Sequence, residues 1–224
     1  MKSEEVASYL QANPQFFEEH AELMSRLVIP HPHGGRTISI TERQMLSLRD
    51  KNKALDAKMN ELLEYGEEND AISEKMHRLG VAMIAVASFQ AILHTLNFHL
   101  RDDFAIPHVA LRLWERPKNA PDGAQELPEL PEFAEVSGEL QVFAEALTQP
   151  YCGSTAGFET SAWFGAAAMH VRSQALVALR NGGGTIGMIA LGSEDGERFY
   201  AGMGTLYLER LGEMASAALA RVLR

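Results

Sequence analysis

The sequence predicts an α+β protein: an antiparallel sheet flanked by helices, preceded by an N-terminal helical and coiled-coil region. Three observations predict it. From Met45 to Val86 apolar residues recur at steps of 3 and 4, the period of a helix seam. Around His108 to Trp114, and again from Ser173 to Gly192, the pattern changes to short runs rich in strand formers. Strands and helices do not alternate with long crossovers, which argues against a doubly wound parallel fold. The 46% apolar and 22% charged content is that of a globular chain rather than a disordered one.

Ser3 can cap a short helix that runs to about Ala12. Asn13-Pro14 restarts a helix, with Asn13 as N-cap and Pro14 in the first turn. Phe16, Phe17, Leu23, Met24 and Leu27 form its apolar face. Pro30 and Pro32 end it, and the stretch from His31 to Gly35 is expected to be a loop. Thr41-Glu-Arg-Gln44 has the form of a capping box, with Thr41 at the N-cap of a long helix. Its seam runs Met45, Leu48, Asn52, Leu55, Met59, Leu62. One extra step of 3 leads to Tyr65, beside Gly66, and the seam resumes through Asn69, Ile72, Met76, Leu79, Met83 and Val86. With Leu48, Leu55 and Leu62 at d, Asn52 falls at a, where a buried Asn favours a parallel pair. Lys51 at g then faces Asp56 at e of the partner chain. The seam therefore predicts a parallel homodimer joined through Met45, Leu48, Asn52, Leu55, Met59 and Leu62. A single helix lying on its own domain is the competing account of the same period. Residues Leu79 to Leu100 are apolar almost all round, so the helix is expected to continue unbroken into a buried core.

His108 to Trp114 alternates as a strand. Pro117, Pro121, Pro128 and Pro131 make residues 116–132 a connection, and a helix follows over 137–148. Tyr151 to Ser154 and Thr155 to Gly157 read as turns. Ser173–Arg180 and Thr185–Gly192 are strands, closed into a hairpin by Asn181-Gly-Gly-Gly184. Both are apolar on two faces, which places them centrally in a sheet covered on both sides. A last helix runs from about Thr205 to Val222, with Tyr207, Leu211, Met214, Ala218 and Val222 on one stripe. The expected divisions are short helices over 1–35, a long coiled-coil helix over 36–79 and the sheet domain over 80–224.

Twenty Lys and Arg against thirty Asp and Glu leave a net charge of −10. The first 60 residues are neutral, so the excess acid lies beyond them. That acidity argues against nonspecific binding to nucleic acid or anionic membrane. The basic stretch from Arg36 to Lys58 carries its charges at the outer positions of any coil, so nucleic acid is not the expected partner. The longest apolar run, Val81 to Phe89, is far short of a membrane span. Glu4, Glu5, Glu18 and Glu19 exclude a basic-then-apolar signal peptide. A cytoplasmic location is expected, and the lone Cys152 suits a reducing compartment. The sequence stops soon after the last predicted helix, so any signal is expected to pass to a separate, unidentified protein, with Phe16 and Phe17 on the N-terminal helices as a route.

No catalytic constellation emerges, and a non-enzymatic protein is expected. The G-x-S-x-G, H-E-x-x-H and kinase signatures are absent, and Glu67-Glu68 falls on a helix face. His31 and His33 form H-x-H without the further ligands a zinc ion needs. His94 and His99 are five apart and point to different sides of a helix. Gly182 to Gly184 sit between strands, not in a phosphate loop. No motif identifies a cofactor. Cys152 would be a redox sensor only with a lowered pKa; a small buried thiol is the simpler account.

The residues Ser173 to Arg180, the glycine turn and Thr185 to Ser193, with Glu194 to Phe199 and Met203-Gly-Thr205, resemble the last hairpin and close of a GAF domain. Tyr9-Leu-Gln-Ala-Asn-Pro-Gln-Phe-Phe17, Thr41 to Gln44, Pro150-Tyr-Cys-Gly153 and Leu191 to Phe199 resemble the bacterial family called domain of unknown function 484. The resemblance implies a GAF-like domain behind a helical N-terminal region. GAF relatives commonly bind cyclic nucleotides, tetrapyrroles, amino acids or other small effectors, or only dimerise. It implies a pocket between the sheet and residues 133–170, with Tyr151, Cys152, Trp163, Phe164 and His170 as candidate lining. Cys152 would be the anchor if the effector were a bilin. Two functions follow: a homodimeric sensory or scaffold module acting through a partner protein, or a small-molecule sensor.

Overall fold

The chain is described by a computed structural model over residues 2–26, 28–31, 34–114 and 130–223, and divides within one long helix into two units, 1–67 and 68–224. The first unit opens with α1 (Ser3–Ala12), α2 (Gln15–Glu19) and α3 (Ala21–Arg26). Lys2, not Ser3, is the N-cap of α1, and its backbone N–H donates to Glu5 Oε2 at 3.0 Å. Pro14 rather than Asn13 caps α2. Asn13 instead closes α1, donating to Tyr9 O from both its backbone (3.0 Å) and its side chain (2.9 Å). The predicted single helix after Asn13 is interrupted at His20. Where the pattern predicts a loop, Val28–His31 (β1) and Gly34–Ser39 (β2) form an antiparallel hairpin. Pro30, opposite Thr37, is tolerated there because each strand of a two-stranded hairpin keeps an outer edge. Leu27, Pro32 and His33 lie outside the described residues.

The long helix, α4 (Ile40–Ala85), starts one residue before Thr41, which therefore sits in the first turn rather than at the cap. Its seam divides between the units. Met45, Leu48, Leu55, Met59 and Leu62 are each more than half exposed, whereas Met76, Leu79 and Met83 are buried in the core of the second unit. The helix does not run on to Leu100. Ser88 starts α5 (Phe89–Asp102), its Oγ accepting from Ala91 N at 3.2 Å. The carbonyls left over at Met83 and Val86 accept from the Arg221 guanidinium.

The second unit continues with β3 (His108–Leu113), a 3₁₀ turn at Pro131–Phe133, α6 (Gly138–Ala146), β4 (Tyr151–Ser154), a 3₁₀ segment at Glu159–Ala167, β5 (Ser173–Arg180), β6 (Thr185–Ser193) and α7 (Leu206–Leu223). The strands form one antiparallel sheet in the order β3-β6-β5-β4. The fold class is thus α+β with helices flanking an antiparallel sheet, as the sequence predicts. The β5–β6 hairpin is central and buried on both faces. Tyr151 to Ser154, predicted as a turn, is an edge strand pairing from Tyr151↔Leu176 to Ser154↔Ser173. Most of the predicted connection over 116–132 lies outside the described residues.

Strand alternation separates two cores. On one face Ala175, Val177, Leu179, Ile189 and Leu191 pack with Leu79, Ile92, Leu96, Leu211 and Leu219 of the helices. Gly212 lets α7 approach: a Cβ there would stand 2.7 Å from Val177 Cγ1. The predicted stripe of α7 is rotated. Leu211 and Ala218 of that stripe are buried, but Ala215, Leu219 and Leu223 replace the rest in the core, while Tyr207, Met214 and Val222 pack at the margin. The Tyr207 hydroxyl donates to Asn69 O at 3.0 Å on α4. On the other face Ala110, Leu176, Met188 and Ala190 meet Leu140 and Ala144 of α6 and a layer of aromatic side chains. No helix among the described residues is long and apolar enough to cross a membrane.

Candidate functional site

The aromatic face is where the unusual chemistry gathers. Period-2 alternation puts His108 and Arg112 of β3, and Gln174 of β5, on the same side as Ala110 and Leu176. The register is His108↔Gly192↔Gln174, so a glycine separates the two polar residues. A Cβ at Gly192 would lie 2.9 Å from both Phe164 Cζ and Val171 Cγ1, so the absent side chain lets the Phe164 ring rest on the strand. That ring stands 6.2 Å from the His108 imidazole. The 3₁₀ segment lays Thr160, Trp163 and Phe164 over the sheet and kinks at Gly165, whose φ of 58° suits only glycine without strain.

Thr160 and Gln174 are wholly buried, and the threonine hydroxyl donates to Gln174 Oε1 at 2.8 Å. Gln174 Nε2 has no hydrogen-bond partner among the described residues. His108 Nε2 and Glu132 Oε2 are the other buried side-chain polar atoms without a hydrogen bond among the described residues. The nearest charged group to the imidazole, Glu194 Oε1, is 3.7 Å away, too far for a hydrogen bond. Arg112 lies over the Trp163 ring, its guanidinium carbon 5.0 Å from the ring centre, and donates to Leu111 O at 2.8 Å. Burial lowers its pKa, and the Glu132 carboxylate opposes that shift. An amide, an imidazole, a carboxylate and a guanidinium beside aromatic rings can orient a small polar molecule.

Of the five predicted lining residues, Tyr151, Trp163 and Phe164 belong to this layer. Tyr151 packs on Phe158 at 4.8 Å, and its hydroxyl donates to Ser154 O at 3.1 Å. Cys152 points the other way, into the helix-side core, because neighbouring strand residues face opposite sides. Burial raises its thiol pKa, the reverse of what a redox sensor needs. His170 is exposed and outside the layer. Sequence reasoning missed His108, Arg112, Glu132, Thr160 and Gln174. A visible signal existed for three of them: His108, Arg112 and Gln174 are polar interruptions in otherwise apolar strands.

The other flagged histidines do not gather into a site. His99 Nδ1 is 2.5 Å from Asp103 Oδ2, and Arg78 Nη2 is 3.5 Å from the other carboxylate oxygen, which ties α5 to α4. The His99 hydrogen bond, aided by Arg78 and Lys75, holds the Asp103 carboxyl below its ordinary range. Among the described residues no group of three or more His, Cys, Asp or Glu could hold a metal ion.

The family model described as "Protein of unknown function, DUF484" matches residues 1–223. The uncharacterized protein YigA of Salmonella typhimurium (strain LT2) is 27% identical over 218 residues, covering 96% of this chain and 90% of its own length. YigA of Shigella flexneri is 30% identical over 110 residues, which is 49% of this chain and 46% of its own. Among solved structures, a GAF domain from Pseudomonas syringae pv. tomato aligns with 70% of this chain and 90% of its own at 15% identity and a TM-score of 0.43. Strand order and register, rather than that distant likeness, define the fold.

Proposed function

The chain belongs to the family described as protein of unknown function, DUF484, and we propose that it is a non-enzymatic, GAF-like sensory module that binds a small polar effector and acts through a separate protein. One observation carries this reading: among the described residues, buried atoms of His108, Glu132 and Gln174 around the Arg112–Trp163 site have no hydrogen-bond partner. Each such group costs about 1–3 kcal/mol, and folded interiors hold few of them. A bound molecule that hydrogen-bonds to them removes that cost, with Arg112 over Trp163 as a charged anchor. A cytoplasmic setting fits the lone buried thiol. The test is native mass spectrometry of the purified full chain, followed by thermal shift against a broad metabolite panel. A small molecule that co-purifies or stabilises, and is lost in Gln174→Met, supports the reading. No binder in either experiment refutes it.

A second reading, compatible with the first, is homodimerisation through the first half of α4. It is favoured by the exposure of Met45, Leu48, Leu55, Met59 and Leu62 at heptad spacing. A parallel second copy covers them, sets Asn52 against its counterpart and brings Lys51 to Asp56. Sedimentation of the full chain at micromolar concentration is expected to give a dimer; a species of 24.7 kDa alone refutes it.

A further inference from the structure

A cleft of about 430 Å³ lies at the β4 edge of the sheet, between α7 and the connection Leu147–Pro150, with the end of β5 as its floor. The strand ladder explains the opening. β4 pairs with β5 only as far as Tyr151↔Leu176, and Pro150, just before it, has no N–H with which to extend the pairing. Beyond Leu176, β5 therefore has no strand on this side among the described residues. Arg180 N–H faces the gap and donates to Ser216 Oγ at 2.9 Å, whereas Asn181 N–H turns inward to Gly184 O at 3.0 Å. Backbone groups alternate in direction along a strand, so Ala178 presents its N–H and C=O to the same open edge. An edge of this kind accepts an extended chain.

Charge selects the occupant. Glu209 and Glu213 stand on the α7 wall of the cleft. Arg180 also lines the cleft, but its guanidinium is engaged: it donates to carbonyls at the end of α6, those of Ala144 (3.1 Å), Glu145 (3.2 Å) and Leu147 (2.5 Å). Elsewhere on that wall Ala217 is small and exposed, so a side chain does not close the mouth of the cleft there. Glu209 accepts from Thr205 Oγ1 at 2.7 Å and keeps its charge. From the open edge, the cleft and its two carboxylates we infer that an extended segment of a partner protein, bearing Lys or Arg, docks beside Val177–Arg180 in line with β4, its basic side chains toward Glu209 and Glu213. The cleft shares Leu147 with the cluster that holds the aromatic layer, but none of His108, Arg112, Glu132, Thr160 and Gln174 lines it, so the inference does not rest on the effector.

Short random peptides displayed on phage provide the test, selected against the full chain and against A217W. Ala217 is exposed, so an indole there fills the cleft from outside. Selected peptides are expected to carry Lys or Arg at alternate positions, to protect the Ala178 amide from hydrogen exchange and to lose binding to A217W. Glu213→Lys, another exposed position, should weaken them by about fivefold, and it stands as the test if A217W misfolds. A selection without binders overturns the inference. So do binders indifferent to both variants, or binders that leave Ala178 exchange unchanged.

Discussion

Replacing Thr160 by Val and Gln174 by Met in one chain should leave the ligand-free second unit as stable as before, or more stable by up to about 2 kcal/mol. The reasoning starts from two wholly buried side chains joined by one hydrogen bond of 2.8 Å, with Gln174 Nε2 unpartnered. Losing the hydrogen bond costs about 1 kcal/mol net, and removing the unpartnered amide recovers about 1–3 kcal/mol. The paired replacement leaves no orphan behind, and Val and Met nearly keep the volumes. The single change Thr160→Val behaves differently. It leaves Oε1 as well as Nε2 unpartnered and should destabilise by about 1–3 kcal/mol. Urea denaturation followed by tryptophan fluorescence reads the effect in the right place, because both tryptophans, Trp114 and Trp163, lie in the aromatic layer. A double variant less stable than the parent by more than about 1 kcal/mol would refute the reasoning, since it would mean that ordered water already satisfies the amide. The observation behind the effector site would then be gone.

Three further outcomes are expected. Ile189→Ala, at a fully buried position of the central hairpin, should destabilise the second unit by about 2–5 kcal/mol in the same assay; a loss below about half a kcal/mol would put the hairpin at the periphery. Burial raises the Cys152 thiol pKa, so a disulfide reagent at neutral pH should modify the native chain far more slowly than the urea-unfolded chain, and equal rates would contradict the placement. The Asp103 carboxyl, facing His99, Arg78 and Lys75, titrates lower in the folded than in the unfolded chain. Its stabilisation is therefore complete above the unfolded value near pH 4 and is lost as pH falls through the lower folded value. Urea midpoints of Asp103→Asn should lose part of the parent's decline in that acid range, and an identical decline would show that the ion pair contributes nothing there.

What the sequence conveyed follows from what each pattern measures. Ser173–Arg180 and Thr185–Ser193 could be read because both faces are apolar and the glycine turn has one geometric use. Tyr151–Ser154 could not: four residues with a glycine hold too little alternation, and its strand character comes from pairing with β5. The break at Val86 to Ser88 was hidden because apolar residues continue on both sides of it, and Ser88 was its one local sign. The GAF resemblance puts Cys152 among the pocket residues, and a turn gives no face to test this; with Tyr151–Ser154 a strand, adjacent residues point to opposite cores. The polar groups of the aromatic layer come from β3, β5 and two 3₁₀ segments, so their meeting is set by register and not by spacing along the chain.

The seam of α4 shows how far a period can go. Steps of 3 and 4 state that a helix has an apolar face, not what covers it. From Ile72 onward that face meets α5 and α7, and side chains from α7 fasten the helix: Tyr207 to Asn69 O, Arg221 to Met83 O and Val86 O. From Met45 to Leu62 the same period leaves five large side chains exposed. At about 25 cal/mol per Å² of apolar surface, leaving such a row in water forgoes several kcal/mol that a second helix recovers. The two accounts the sequence offered, a helix on its own domain and a helix paired with another, are therefore not rivals for the whole of α4. The first describes its C-terminal half. For the N-terminal half, with Asn52 among its exposed leucines and methionines, the second is the proposal that sedimentation tests.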